Sequence, residues 1–200
     1  MNAVTAGKRE EFGRRSARVS ERQGTPALPE IEVRSACGGH GVFTHTAIAA
    51  GARVLEFIGD EVGRAEVARA AAANGHDGYL QVSRDVFLGQ SGGADDYVNH
   101  SCAPNCYVEF AAGRVWLVAL VDIPAGAELY FDYGLTQIDF PFRFNCLCGA
   151  TSCRGPIGNY DEVPASLMDE YRAKGMVPPH VEAELDARSA PVALNSRARS

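Results

Sequence analysis

The sequence predicts a mainly β domain over residues 30–134, followed by a small cysteine-rich segment. Many short runs of β-branched and aromatic residues, each about six positions long, follow one another at close spacing and are broken by glycine. A single alanine-rich stretch interrupts them with a helical composition. Five of the six cysteines then fall in two compact groups, at 102 and 106 and at 146, 148 and 153.

The elements can be assigned in chain order. Residues 1–28 are polar and rich in Arg, Ser and Glu, which predicts a disordered basic arm. Three β-like runs follow, IEVRSA, VFTHT and RVLEFIG. The stretch GRAEVARAAAANG at 63–75 predicts a helix that ends at Asn74-Gly75.

The next segment predicts two hairpins and a last strand. YLQVSRDVFLGQ is expected to turn at Ser83-Arg84, and NCYVEF with RVWLVALVDI to turn at 111–113. After the turn at Pro124-Ala125-Gly126, ELYFDYG predicts a strand. DEVPASLMDEYRAK at 161–174 predicts a helix, and the polar end from about Ser189 predicts a loose tail.

Composition and charge bound the class of protein. An apolar fraction of 46% and a charged fraction of 22% over 200 residues are typical of a globular chain with one core. The longest apolar run, VWLVALV, is too short to span a bilayer, and the charged N-terminal stretch has no apolar run typical of a secretory signal. We therefore expect a cytoplasmic or nucleoid- or chromatin-associated protein that is not secreted and does not contact a membrane.

The charge is unevenly distributed along the chain. The first 24 residues carry a net charge of +3, so the remaining residues carry −9 of a total of −6. An acidic body suits a basic peptide partner better than a nucleic acid, although an ordinary solvated surface explains it equally well.

The downstream cysteines have the spacing of metal ligands. Cys146, Cys148 and Cys153 form the pattern C-x-C-x4-C, which can occupy three corners of a tetrahedral zinc site. The fourth ligand must come from elsewhere, and Cys102 and Cys106 are the candidates. Free thiols or a redox pair are less favoured, because the clusters are compact and no C-x-x-C precedes a helix.

Four separated motifs then carry a resemblance to a known family. They are GGHGVFTHTAIAAGARVLEFIGDEV at 38–62, YVNHSCAPNC at 97–106, AGAELYFDYG at 125–134 and the cysteine pattern at 146–153. In this order the chain resembles SET-domain protein-lysine methyltransferases with a post-SET zinc-binding segment, over about residues 30–158.

The resemblance implies a fold and a division of the chain. The fold is a set of small curved β-sheets with few short helices and a knot-like threading of the C-terminal strands. The expected units are a basic arm at 1–28, a SET domain at 29–134, a post-SET segment at 135–158, and a C-terminal extension at 159–200 with a helix and a loose tail.

The resemblance also implies the activity, the cofactors and the site residues. The reaction is methylation of a lysine side chain in a basic protein, such as a histone or histone-like protein, with S-adenosyl-L-methionine as cofactor and one structural Zn2+. Cofactor contacts fall on Gly38, His40, Gly41, Tyr79, Asn99, His100, Tyr133 and Ile157. Zinc falls on Cys102, Cys146, Cys148 and Cys153, which leaves Cys37 and Cys106 as ordinary residues. Tyr133 supplies the catalytic hydroxyl, and Phe131 and Phe57 line the lysine channel.

Three residues bear on the details of the reaction. Phe131 stands where family members that stop at monomethylation have tyrosine, so we expect di- or trimethylation. Phe57 replaces a frequent tyrosine, and Asp96 a frequent arginine, which we expect to change local ion pairing. A function of another class stays open at this point, namely a non-catalytic zinc-stapled module that binds basic peptides.

Overall fold

The computed structural model describes residues 27–36, 39–74 and 78–189. The described chain forms twelve short strands: β1 Ile31–Ala36, β2 Gly39–Thr44, β3 Arg53–Phe57, β4 Glu61–Gly63, β5 Leu80–Gln81, β6 Val86–Leu88, β7 Asn99–His100, β8 Cys106–Ala111, β9 Arg114–Ala119, β10 Tyr130–Phe131, β11 Phe144–Asn145 and β12 Pro156–Ile157. Its α-helices are α1 Arg64–Asn74, α2 Ala165–Ala173 and α3 Pro179–Ser189. The predicted mainly β fold with few helices is confirmed, whereas the predicted basic arm lies, apart from residues 27 and 28, outside the described residues.

The strands of the described chain form five small sheets. Two of these sheets have three strands, in the orders β3-β9-β8 and β4-β6-β5, and two are the hairpins β1-β2 and β11-β12. These pairings are antiparallel, but β10 pairs with β7 in parallel. A parallel pairing needs a long connection, so it joins parts of the chain that are remote in sequence. The knot-like threading stays a prediction.

Both predicted hairpins are confirmed. β8 and β9 are joined through Ala112 and Gly113, whose φ angles of 53° and 74° are those of a hairpin turn that matches the strand twist. In the hairpin of β5 and β6, the amides of Val82 and Ser83 both donate to the carbonyl of Val86, at 3.0 and 3.1 Å. The local sequence was sufficient to predict both hairpins, because each turn is formed by residues that are close together in the chain.

Two helices were predicted and a third was missed. α1 and α2 lie within the predicted ranges 63–75 and 161–174, and the start of the second range forms a 3-10 turn, Tyr160–Glu162. α3 begins at Pro179, which is a favoured first helical residue, and carries Glu182 in its first turn and Arg188 in its last. These signals were present in the sequence, but the polar composition of the segment obscured them.

Buried side chains form three clusters that place the C-terminal extension against the β domain. The first lies between β2, β3, β8 and β9, and the second joins α1 to the cysteine-rich segment. The third joins the residues after β10 to α2 and α3; it contains Leu135, Ile138, Tyr160, Val163, Tyr171, Met176 and Val181. The extension therefore packs against the domain as far as Leu185, and the predicted loose tail beyond Ser189 lies outside the described residues. None of the described helices is both long and apolar enough to cross a membrane.

Candidate functional site

Two motifs that are remote along the chain meet at strands β7 and β10. Asn99 lies opposite Tyr130, and His100 lies opposite Phe131. The amide of Ser101 continues the pairing by donating to the carbonyl of Phe131 at 3.2 Å. The Asn-His pair is therefore fixed beside the strand that leads into the FDYG sequence.

The rings of Phe57, Phe131 and Tyr133 line a channel next to this pairing. Phe57 meets Phe131 edge-on with ring centroids 5.6 Å apart, and Phe131 is tilted against Tyr133 at 4.7 Å. The Tyr133 hydroxyl donates to the backbone carbonyl of Val98 at 2.7 Å, which directs its proton away and leaves its oxygen able to accept a hydrogen bond. The channel has a volume of about 110 Å³, and its wall also includes Tyr79, Asp95, Asp96 and Gln137. The structure thus brings together the three residues predicted for the lysine channel.

A separate cleft of about 410 Å³ also borders Tyr133. Its wall contains Asn99, His100, Glu128, Tyr130, Phe144, Asn145, Cys146, Leu147 and Cys148. Among the described residues, Tyr133 is the one that lines both the channel and the cleft. Groups bound in the two cavities would therefore meet at this phenol.

The Asn99 side chain is held in one orientation at the cleft. Its Nδ2 donates to the backbone carbonyl of His40 and to Oε1 of Glu128, both at 2.8 Å. The other carboxylate oxygen of Glu128 accepts a hydrogen bond from the Tyr130 hydroxyl at 2.6 Å. Because both amide hydrogens of Asn99 are used, its side-chain oxygen remains as the acceptor at the cleft.

His100 is buried and fully engaged. Its Nδ1 accepts a hydrogen bond from the amide of Tyr133 at 3.1 Å, and its Nε2 lies 3.4 Å from Sγ of Cys102. Burial lowers the pKa of His100 to about 4, against the opposing effect of the nearby Asp132 carboxylate. The imidazole is therefore neutral at pH 7 and holds the backbone of the neighbouring tyrosine.

The structure brings four cysteine thiols together. The Sγ atoms of Cys102, Cys146, Cys148 and Cys153 all lie within 4.8 Å of one another, and those of Cys102 and Cys146 are 3.8 Å apart. A tetrahedral zinc site with bonds of about 2.3 Å requires sulfur–sulfur distances of about 3.8 Å. Two amides also point at these sulfurs: that of Cys148 donates to Cys146 at 3.3 Å, and that of Arg154 to Cys102 at 3.4 Å. The donor set and its spacing fit a zinc ion.

The other candidate for the fourth ligand lies elsewhere. Cys106 is fully buried in the first cluster, among the side chains of β8 and β9, and burial raises the pKa of its thiol to about 12. It is a core residue without ligand character. Of the two candidates that spacing left open, Cys102 is the one that lies with the three downstream thiols.

One buried ion pair was missing from the sequence interpretation. Arg154 donates to both carboxylate oxygens of Asp132, at 2.6 and 2.8 Å, and the amide of Gly134 donates to the same carboxylate at 3.1 Å. Asp132 is fully buried. The signal was an acidic residue between two predicted channel aromatics, with an arginine directly after the last cysteine.

Several predicted site residues lie in places that differ from the expectation. Tyr79 lines the channel and is absent from the wall of the cleft. Ile157 is 1% exposed and packs in the second core cluster, whereas Leu147, 86% exposed, borders the cleft. Gly38 and Cys37 lie outside the described residues.

The departure at Asp96 also has a structural role. Its carboxylate accepts hydrogen bonds from the amides of Ser91 and Gly92, at 2.9 and 2.8 Å. The aspartate at this position therefore closes a local loop, and the expected change in ion pairing stays a prediction.

These features define the class of protein. Residues 39–134 match the model of the SET domain family, so this part of the chain is a SET domain. Among its relatives is a probable histone-lysine N-methyltransferase of Caenorhabditis elegans, 34% identical over 144 residues, which are 62% of this chain and 59% of that protein. The mouse histone-lysine N-methyltransferase specific for H3 lysine-36 is 32% identical over 164 residues, which are 76% of this chain and 6% of that protein.

A solved structure supports the same fold. The crystal structure of KRYPTONITE in complex with mCHH DNA, H3(1-15) peptide and SAH has a TM-score of 0.53 and 26% sequence identity. The match covers 66% of this chain and 30% of that one. The chain thus spans less than two thirds of each of these three proteins.

The crowding at Gly41 generates a prediction. A Cβ atom at this position would lie 2.2 Å from Oε1 of Glu128, the atom that holds Asn99, and 3.0 Å from Cβ of Ala36. We expect Gly41→Ala to displace the carboxylate and to lower the free energy of unfolding by about 1 kcal/mol or more. Chemical denaturation measures this change.

The control is Gly63→Ala, because a Cβ atom at Gly63 meets nothing within 4 Å. Its effect should stay within about 0.5 kcal/mol. Equal effects of the two substitutions would contradict the assigned crowding.

Proposed function

We propose that the chain is a protein-lysine N-methyltransferase that uses S-adenosyl-L-methionine and acts on a basic protein. The observation that carries this proposal is the position of Tyr133, which lines both the aromatic channel and the cleft. The names of the relatives, histone-lysine N-methyltransferases, support the same reaction class.

The residues of the cleft fit the cofactor. The fixed side-chain oxygen of Asn99 can accept a hydrogen bond from the ammonium group in the methionine part of the cofactor. The neighbouring carboxylate of Glu128 adds negative potential. The exposed Leu147 offers an apolar surface to a flat ring system. We assign the cofactor to Asn99, His100, Tyr133 and Leu147, which line the cleft. We retain His40 and Gly41 as predicted contacts because the His40 carbonyl binds Asn99 and Gly41 lies against Glu128, and we assign Tyr79 to the channel and Ile157 to the core. The bound cofactor supplies a methyl group on a cationic sulfonium.

The channel residues prepare the substrate amine. A lysine side chain has an ordinary pKa of about 10.4, so deprotonation at pH 7 costs about 4.6 kcal/mol. The rings of Phe57, Phe131 and Tyr133 replace water around the amine, which disfavours its charged form and lowers this cost. The Tyr133 oxygen can accept a hydrogen bond from the amine and so orient its lone pair.

The proposals for the substrate and for the location rest on the net charge of the chain and on the names of its relatives. Apart from its first 24 residues, the chain carries a net charge of −9, which suits a lysine-rich protein such as a histone or histone-like protein and does not favour direct nucleic-acid binding. We propose association with chromatin or a nucleoid, and we retain 29–134, 135–158 and 159–200 as the SET domain, post-SET segment and extension.

Methyl transfer tests the proposed function directly. We expect the protein to transfer labelled methyl groups from S-adenosylmethionine to lysines of basic proteins, and Tyr133→Phe to lower the rate at least about tenfold because the orienting hydroxyl is lost. Tyr107→Phe, which removes a hydroxyl outside both cavities, should leave the rate unchanged. Binding of basic peptides without transfer by the unmodified protein would favour the non-catalytic module.

Phe131 generates a prediction about the product. The channel wall at this position lacks a hydroxyl, which leaves room for a methylated amine to rotate. We expect mass spectrometry to find di- or trimethyl-lysine, and Phe131→Tyr to shift the product toward monomethyl-lysine. Phe110→Tyr, outside the channel, serves as the control. Monomethyl-lysine alone from the unmodified protein would rule this out.

The four thiols generate a prediction about metal. We expect one zinc per chain by elemental mass spectrometry, and Cys102→Ala to lose it, because a structural zinc needs its full ligand set. The loss should also increase hydrogen exchange over residues 146–158, since metal binding of this kind contributes on the order of 10 kcal/mol of folding free energy. Cys106→Ala should keep the metal, and a metal-free unmodified protein would contradict the assignment.

A further inference from the structure

The C-terminal extension reaches the carboxylate of Asp132. The Tyr171 hydroxyl, from α2, donates to Oδ2 of Asp132 at 2.9 Å. Asp132 lies between the channel residues Phe131 and Tyr133 and is fully buried. Tyr171 thus gives this carboxylate a hydrogen-bond donor from a helix that lies outside the SET match at 39–134 and beyond the four cysteines.

Every contact of this carboxylate matters because it is removed from water. An ionised carboxylate in the protein interior needs charged or strongly polar donors to replace its hydration. Each carboxylate oxygen accepts one hydrogen bond from Arg154. Oδ1 also accepts one from the Gly134 amide, and Oδ2 also accepts one from the Tyr171 hydroxyl. Without Tyr171, Arg154 would be the one described side-chain partner left to Oδ2 of Asp132.

Tyr171 is suited to permanent donation. It is 3% exposed, and burial together with the Asp132 charge raises the pKa of its phenol well above the ordinary value. The hydroxyl therefore stays protonated at any working pH.

The position of Asp132 determines the position of two channel rings. The contacts that hold its side chain restrain the backbone that carries Phe131 on one side and Tyr133 on the other. The Tyr133 amide is also bound to the His100 ring, so this backbone is held on two sides. Loss of one hold misplaces the phenol relative to an amine in the channel, and small misplacements at reacting groups reduce rates strongly.

We propose that Tyr171 is a positioning residue for the methyl transfer, through which the C-terminal extension fixes the Phe131–Tyr133 segment. This inference rests on the proposed function. It assigns the extension a part in the site that the SET segment and the cysteine cluster leave incomplete.

The test compares two tyrosines of the same cluster. Tyr160 is fully buried, and its hydroxyl donates to the Met168 carbonyl at 3.4 Å, away from Asp132. We expect Tyr171→Phe to lower kcat about tenfold, to change the KM for substrate less than twofold, and to alter the ratio of mono- to dimethylated product. Tyr160→Phe should leave kcat and the product ratio unchanged, even if it lowers the melting temperature equally.

Three outcomes decide the proposal. Equal kcat and product ratio for the two folded variants would overturn it, because both remove one hydroxyl from the same core. If Tyr171→Phe does not fold, Tyr171→Met, which keeps an apolar side chain and removes the donor, is compared with Tyr160→Met: a kcat below that of Tyr160→Met supports the proposal, and an equal kcat overturns it. An unmodified protein that transfers no methyl group would refute the proposed function itself, which this comparison keeps separate.

Discussion

The site depends on a parallel strand pairing that is two residues long, Asn99–His100 against Tyr130–Phe131. A pairing this short is marginal on its own, and parallel ladders are slightly weaker per residue. Asn105 reinforces this pairing. Its side-chain oxygen accepts from the Tyr130 amide at 2.8 Å, and its Nδ2 donates to the backbone carbonyl of Glu128 at 2.7 Å. The polar side chains of NHSCAPN thus act as substitutes for missing backbone partners, which explains their density in one loop.

The chain beyond the β domain completes this arrangement through charge. Arg154 belongs to two sites at once, because its amide donates to Cys102 and its guanidinium pairs with Asp132. The positive charge of the Arg154 side chain offsets the negative charge of the buried Asp132 carboxylate and that of the neighbouring cysteine sulfurs. The cysteine-rich segment and α2 therefore pack behind the Phe131–Tyr133 segment, and both contact Asp132, the residue that precedes Tyr133.

The sequence was informative where neighbouring residues determine the outcome. The hairpins, α1 and α2 follow from turn residues and local propensity, and the resemblance identified the aromatic channel. Local reasoning failed where distant segments decide. It could not choose between Cys102 and Cys106, because their burial differs only in the folded chain. It did not find the partners of Asp132, which come from separate elements, and the resemblance that assigned Ile157 to the cofactor did not indicate its burial in the second core cluster.

For the proposed lysine methylation, the acidic groups at the channel face two opposed requirements, attraction of the substrate and deprotonation of its amine. Negative charge attracts a lysine-rich segment, but the same charge stabilises the ammonium form that must lose its proton. Among the described residues neither Asp95 nor Asp96 has an ion-pair partner, yet both carboxylates are turned to the backbone, Asp95 to the Ile58 amide at 3.1 Å and Asp96 to two loop amides. The amide dipoles partly offset the negative charge of the two carboxylates at the channel wall. The aromatic rings supply the apolar surroundings of the amine. The long-range attraction is retained because it depends on net charge, whereas the short-range stabilisation of ammonium is reduced because it depends on direct contact.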